Sequence, residues 1–424
     1  MTYTVETTYS GLETPALAAR LPQLTARLPD ALTQVKGWRE NGTLPYLDLP
    51  FQTRDLDALA TVARRFQSLE TVVVLGTGGS SLGAKTLYAL ADQGFGNRAG
   101  GPRMHFLDNV DPATFTALLT QVNLATMGLL VVSKSGTTAE TLCQFLTLLP
   151  ELEKANPGGW QRQTLVITEP GGNSLRALAG RYGLETFEHD PKVGGRFSVL
   201  SLVGLLPAMI AGLDAHAIRR GAKNVLEPVL SGDTSHAAAQ GAVWNVAWAQ
   251  EGRTQTVLMP YIDQLAEFGM WFRQLWAESL GKNGLGTTPI RAMGTVDQHS
   301  QMQLYMDGPK DKIFTVLVKN ARGEGAALNT KPFEDIRLDY LHGRSMGDLL
   351  DAEQQAAIVT MARRGCPVRV IRVPALHEES LGALLMHYML ETILSAALMG
   401  VNAFDQPAVE EGKILTREYL GNAA

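Results

Sequence analysis

The hydrophobic pattern is irregular at first and then becomes rhythmic. Over residues 1 to about 60, Leu17, Leu21, Leu24 and Leu28 recur at helix-like spacing, while Pro22 and Pro29 limit how far any one helix runs. Thr71–Leu75 is a short β-branched run that ends in Gly76-Thr-Gly-Gly-Ser80 and passes into a helical stretch. Gly128–Val132 repeats the arrangement ahead of Ser133-Lys-Ser-Gly-Thr-Thr138, and Thr164–Thr168 repeats it ahead of Glu169-Pro-Gly-Gly-Asn-Ser174. Strands of about five residues alternating with helical segments predict βαβ units, hence a parallel sheet covered on both faces. A polar break near Gly221 to Ser235 marks a candidate junction. Beyond it, Gln255–Met259, Lys312–Val318 and Val368–Val373 are expected strands of a second sheet, accompanied by helical patterns over Gln264–Leu280 and Leu381–Met399.

Length and composition agree with two α/β units. The chain has 424 residues, too many for one ordinary core, and is 45% hydrophobic and 19% charged. A net charge of -5 argues against a nucleic-acid or anionic-membrane surface. Cys143 and Cys366 stand far apart with no C-x-x-C, which suits a reducing compartment and neither a disulfide framework nor a cysteine metal site. The N-terminus lacks the basic-then-apolar pattern of a signal peptide. Runs such as Val199–Leu213 are too short and too interrupted by Gly and Pro to span a bilayer. A cytoplasmic protein is expected.

Loops at the carboxyl ends of parallel strands open into helix N-termini, whose unpaired N–H groups favour anions. Ser133, Ser135, Thr137 and Thr138 place four hydroxyls at such a point, with Gly136 for a tight turn and Glu140 available to complete a cap. Ser80 is positioned to reach the same pocket from the neighbouring loop. Two readings fit these residues: ordinary N-caps, or a cradle for a phosphate. Nucleotide motifs do not fit. Ala84 separates Gly83 from Lys85, so a P-loop fails, and Ser81 stands where a dinucleotide fingerprint needs its third glycine.

Acid–base chemistry has its own candidates. Tyr261–Gly281 reads as a helix with an apolar stripe of Leu265, Phe268, Phe272, Leu275 and Trp276. Gln274 and Glu278 share a face. Trp271 and Leu275 are expected to surround the Glu278 carboxylate with apolar matter, which disfavours the charged form and suits a general base. The competing reading is an exposed glutamate paired with Lys282. His299 lies at the polar centre of Asp297-Gln-His-Ser-Gln301, and no histidine pair has the H-E-x-x-H spacing of a zinc site. Gly194-Gly195 permits close backbone approach, and Arg196 follows as a candidate stabiliser of developing negative charge. Gln406 and Lys413 flank a Pro407-initiated helix start. Each of these residues, taken singly, also has a structural reading.

Six blocks together resemble the phosphoglucose isomerase family. Gly76–Gly83, Ser133–Thr141 and Gly194–Ser198 are similar to its first sugar-isomerase (SIS) domain. Gln274-x-x-x-Glu278-Ser-Leu-Gly-Lys282, Gly294–Gln303 and Phe404-Asp-Gln-x-x-Val-Glu-x-Gly-Lys413 are similar to its second domain and C-terminal segment. The resemblance implies an α/β fold of two doubly wound parallel-sheet SIS domains: residues 1–60 an N-terminal helical segment, 61–220 the first domain, 221–400 the second and 401–424 a C-terminal segment. It implies phosphate binding by Ser80, Ser133, Ser135, Thr137 and Thr138, with Lys134 in the same loop and Gly195 at the substrate. It implies that Glu278 carries a proton between sugar carbons 2 and 1, that Arg196 lies beside a cis-enediol, and that His299 and Lys413 open the sugar ring. Gln274 and Gln406 become substrate-positioning residues. No metal or cofactor is implied. The histidine is expected from a neighbouring subunit, hence a homodimer with shared sites. Leu280, often Asn in the family, and Gly136, bulkier in its long members, are departures at the motif periphery. The alternatives are a dual phosphoglucose/phosphomannose isomerase and a non-catalytic sugar-phosphate sensor.

Overall fold

A computed structural model of the chain describes residues 2–92, 94–96 and 100–422. A short strand, β1 (Thr4–Glu6), precedes a helical segment that includes Leu28–Glu40 and Arg54–Gln67. The first sheet consists of β2 (Thr71–Leu75), β3 (Arg103–Leu107), β4 (Met127–Val132), β5 (Thr164–Thr168) and β6 (Glu185–Glu188). It is parallel throughout, in the order β3-β2-β4-β5-β6. The second sheet uses β7 (Gln255–Pro260), β8 (Thr288–Arg291), β9 (Lys312–Lys319) and β10 (Val368–Val373), in the order β1-β10-β9-β7-β8. Only β1 runs antiparallel to its neighbour there.

The six strands expected from the apolar runs all occur, and they are central or pair with central strands on both sides. Every residue of β4 is buried, because helices cover both faces of the sheet. The four strands without such a run, β1, β3, β6 and β8, are the sheet edges. Their residues are mostly half-buried, so they carry no continuous apolar signature.

One continuous core joins the inner faces of the two sheets, taking Val72, Leu130 and Ile167 from the first and Leu258, Leu317 and Ile371 from the second. The expected polar break at Gly221 to Ser235 takes a different form. Residues to Leu230 belong to the helix Ala215–Leu230, and the turn that follows is mostly exposed. This helix crosses the helix Glu378–Met399 at glycines. A Cβ at Gly221 would stand 1.8 Å from the Glu379 carbonyl oxygen, and one at Gly382 would stand 1.9 Å from that of Ile218. The amide polarity of the sequence there is helix surface, and its glycines are contact points.

Glu378–Met399 is long and apolar enough to cross a membrane by length and composition, and 94% of its most apolar window is buried within the protein. It also carries buried charge. Arg369 and Glu391 form a bidentate pair at 2.7 and 2.8 Å, and His387 bridges Glu391 (3.0 Å) to the Tyr3 hydroxyl (2.8 Å). The C-terminal helix Glu410–Asn422 follows a short turn at Pro407–Val409, and its described side chains are exposed.

Candidate functional site

β2 and β4 are adjacent and parallel, so the loops Gly76–Ser81 and Ser133–Thr138 open side by side at their carboxyl ends. Ser133 is buried. Its hydroxyl bonds Thr138 Oγ1 at 2.9 Å and accepts from the Gly136 N–H at 3.1 Å. The exposed Ser135 hydroxyl accepts from the Thr137 N–H at 3.3 Å and from Thr137 Oγ1 at 3.1 Å. Gly136 has φ +63°, and a Cβ there would stand 1.9 Å from Asn173 Oδ1, so glycine is required on both counts. Ser80 ends the single turn Gly78–Ser80, half-buried. Lys134 is turned away from the hydroxyls. Its ammonium donates to the Pro191 carbonyl at 2.6 Å, and burial lowers its pKa against the pull of Glu169 and Asp190.

The helices that follow begin without side-chain caps. Ser81 precedes Leu82–Ala91 and Thr138 precedes Ala139–Ala155, yet neither side chain bonds the first N–H groups. Asp111, Asn173, Ser201 and Asp214 do cap their helices. Thr138 is engaged with Ser133, Ser81 with Asp108 at 3.4 Å, and Glu140 is exposed and completes no cap. Of the two readings open to these hydroxyls, the geometry favours the anion cradle: free N–H groups at two helix starts, with hydroxyls around them.

The first loop also abuts the acid–base residues. A Cβ on Gly78 would stand 2.9 Å from Gln274 Nε2, and one on Gly79 would stand 2.2 Å from the Gly195 carbonyl carbon. Ser198 Oγ donates to the Gly79 carbonyl at 3.1 Å, locking Gly195–Leu200 against the loop. Glu278 sits in the last turn of the helix Ala266–Leu280. Gln274 Nε2 donates to its Oε1 at 3.0 Å, and Arg196 Nη1 donates to its Oε2 at 3.2 Å.

The apolar surround expected for Glu278 is therefore absent. Trp271 and Leu275 are buried in the core, while the carboxylate is 31% exposed and flanked by an amide and a guanidinium. Nor does Lys282 pair with that carboxylate. Its ammonium donates to the carbonyls of Glu278 (2.9 Å), Ser279 (3.1 Å) and Asn402, and meets Asp405 at 3.3 Å. A cation on the last carbonyls of a helix is electrostatically favourable, and here it also fastens the segment that carries Gln406.

Arg196 is held from all sides. Its Nε donates to Ser279 Oγ at 3.0 Å and its Nη1 to Gln406 Oε1 at 3.1 Å, while Nη2 donates to the carbonyls of Ala403 and of Asp405 (3.2 Å for the latter). Burial lowers its pKa, and the Glu278 carboxylate opposes that shift. A guanidinium this constrained presents a fixed positive charge beside a carboxylate, which is what a proton transfer through an anionic intermediate needs.

The structure thus brings Arg196, Gly195, Gln274, Glu278 and Gln406 together beside the loops of Ser80 and Ser133. It does not bring His299 or Lys413 to them by any hydrogen bond or ion pair among the described residues. His299 is exposed in the short helix Val296–Ser300, and Lys413 is exposed and paired with Glu410 at 2.7 Å. Ser279, Lys282, Asn173 and Asp405 carry no site expectation from the sequence, yet the first two and Asp405 hold the Arg196–Glu278 cluster and Asn173 packs against Gly136. Ser279 and Lys282 stand inside the Glu278-Ser-Leu-Gly-Lys282 run, which is the one signal that pointed to them.

Comparison with known proteins places these features in company. The family model for phosphoglucose isomerase matches residues 53–423. A glucose-6-phosphate isomerase of Rubrobacter xylanophilus is 40% identical over 384 residues, 89% of either chain. One of Thermus thermophilus is 35% identical over 391 residues, covering 89% of this chain and 90% of that one. Among solved structures, a hypothetical protein from Thermus thermophilus is similar with a TM-score of 0.87 at 33% identity, over 99% of each chain. A glucose-6-phosphate isomerase from Chlamydia trachomatis shares the fold, with a TM-score of 0.80 at 22% identity over 100% of this chain and 89% of that one.

Proposed function

The chain belongs to the phosphoglucose isomerase family, and from that premise we propose that it interconverts glucose 6-phosphate and fructose 6-phosphate, with Glu278 as the proton carrier. The observation that carries this reading is the contact between two loops: uncapped, hydroxyl-rich helix starts for a phosphate, directly against the Arg196–Glu278–Gln274 cluster. Both requirements of an aldose–ketose phosphate isomerase are then met a few ångströms apart.

In this proposal Ser80, Ser133, Ser135, Thr137 and Thr138 hold the phosphate, and binding there positions carbons 1 and 2 over Glu278. Ring opening moves the proton of the anomeric hydroxyl to the ring oxygen, assisted by His299 and Lys413. Glu278 removes the proton from carbon 2 of the open aldose. The electron pair left on carbon 2 becomes that of a cis-enediolate, whose negative charge Arg196 stabilises. The proton of the O2 hydroxyl passes to O1, and Glu278 returns its proton to carbon 1, giving the ketose. Gln274 orients the carboxylate, and Gln406 shares the Arg196 guanidinium and so couples the C-terminal segment to it.

His299, exposed and with no side-chain hydrogen bond among the described residues, is assigned to the site of a neighbouring copy, so the working unit is a homodimer. Lys134, engaged with Pro191, is assigned to fixing its loop. The division into 1–60, 61–220, 221–400 and 401–424 is retained as functional segments that carry, in turn, a helical cover, the phosphate loops, Glu278 with His299, and Lys413. The enzyme is assigned to the cytoplasm, where its substrates are. The test is conversion of fructose 6-phosphate in the presence of EDTA, with glucose 6-phosphate read through a coupled dehydrogenase. Rapid turnover is expected; none from folded protein would overturn the proposal.

A further inference from the structure

A cavity of about 980 Å³ lies away from Glu278, between the N-terminal strand and the starts of the helices Ala237–Gln250 and Glu378–Met399. Its volume is at the upper end of the range of small-molecule sites. Val225, Leu21 and Trp244 supply apolar wall, while the polar part includes His236, His377, Arg369, Gln240 and threonine hydroxyls of the N-terminal strand.

His236 Nδ1 accepts from the Ala238 N–H at 3.3 Å, and His377 Nδ1 accepts from the Ser380 N–H at 3.4 Å, so each ring caps its own helix. A neutral imidazole whose Nδ1 accepts carries its proton on Nε2. His236 is neutral, because burial first and His387 second bring its pKa down to about 4. Its Nε2–H, like that of His377, has no partner among the described residues. Two helix starts thus each present a histidine N–H donor to one cavity, with the buried Arg369 guanidinium in the same wall. The acidic side chain there, Glu379, is already neutralised by Arg220 at 2.9 Å and bonded by Asn224 at 3.2 Å.

We propose that this cavity is a second binding site, for a small amphipathic anion with an apolar or aromatic body and a carboxylate, sulfonate or phosphate head, the head meeting His236 and His377 and the body lying on Trp244. Two imidazole N–H donors without a partner among the described residues, beside an apolar wall, select such a molecule over a plain sugar phosphate, which lacks the apolar body.

The test is titration of the full-length protein with anilinonaphthalene sulfonate, an aromatic anion, followed by its fluorescence and by tryptophan quenching. Saturable binding of one probe per chain is expected, undisturbed by saturating fructose 6-phosphate. His236→Asp keeps a good N-cap but sets a negative charge in the wall, and should weaken binding at least ~10-fold, which is about 1.4 kcal/mol. Ala237→Phe narrows the cavity and should do the same, while His236→Asn keeps the cap, adds no charge and should weaken binding less. Circular dichroism confirms that each variant is folded. Unsaturable binding, displacement by fructose 6-phosphate, or equal affinity in all folded variants would overturn the proposal.

Discussion

Gly79 is where the loop proposed to hold the phosphate meets the Arg196 loop, and Gly79→Ala is the sharpest probe of that contact. Its φ is not positive, so alanine suits the backbone and only the neighbour objects. The added Cβ would stand 2.2 Å from the Gly195 carbonyl carbon, 2.5 Å from its oxygen and 2.6 Å from its Cα. All three are backbone atoms, so no side chain can swing away. The two loops must separate by about 1.2 Å to restore ordinary contact at 3.4 Å. A misplacement near 1 Å costs ~10²-fold in rate, or roughly 2.7 kcal/mol of transition-state stabilisation, whereas overpacking costs about 1–3 kcal/mol of stability. The coupled isomerase assay should show kcat reduced by about 100-fold with KM changed much less, because the hydroxyls around Ser133 are untouched. Gly172→Ala, with nothing within 4 Å of its Cβ, is the control and should be near normal. A folded Gly79→Ala protein with full kcat would refute the idea that this contact sets the register between phosphate and base.

Other outcomes follow from other parts of the structure. Lys282→Met removes the cation from the carbonyls of Glu278 and Ser279 and frees Asp405, so activity should fall by about 10-fold, in proportion to the disorder of Arg196, with under ~2 kcal/mol lost in urea unfolding. Arg369→Met leaves Glu391 buried without its partner and should cost about 3–5 kcal/mol of stability, while the kcat of the folded fraction stays within about twofold. The pH dependence of stability has a defined sign. Burial disfavours the charged forms of His236 and His387 in the folded protein and keeps both below the ordinary 6.5, so their contribution is present above about pH 6.5 and is lost as pH falls, for His236 through about 4. Burial pushes the Glu391 carboxyl up, but the Arg369 charge and the bonds from His387 outweigh it and hold it below 4.5, so its contribution disappears only in stronger acid. Thermal melts of His236→Asn should accordingly decline less than those of the parent between pH 6.5 and 4, by about 1–3 kcal/mol; parallel curves would contradict this.

What could be read in the sequence tracks the physics of burial. β4 and β5 are buried on both faces and so spell continuous apolar runs, whereas the edge strands β3 and β6 mix Arg103, His105 and Glu185 with apolar residues and read as loops. Gly76–Ser81 and Ser133–Thr138 were legible because a tight turn needs glycine and an anion needs donors, both local demands. The Arg196 cage was not. Its partners Ser279 and Ala403 lie 83 and 207 residues away and include a backbone carbonyl, which has no residue type to betray it. The surround of Glu278 departs from its sequence pattern for a related reason. Trp271 and Leu275 do share its helix, but they turn into the core, and the carboxylate reaches across to a different loop. Gly221 looked like part of a break because a glycine at a helix crossing and a glycine in a linker are the same letter.

The most direct test of the central claim is incorporation of solvent deuterium at substrate carbons 1 and 2, followed by NMR, for the parent protein and Glu278→Gln. The amide keeps the size of the side chain and an acceptor for Arg196 but cannot take a proton. The account predicts exchange and isomerisation in the parent, loss of both by at least ~10³-fold in the variant, and sugar-phosphate binding within a few-fold of the parent. Near-normal exchange by folded Glu278→Gln would contradict the assignment of Glu278 as the group that carries the proton.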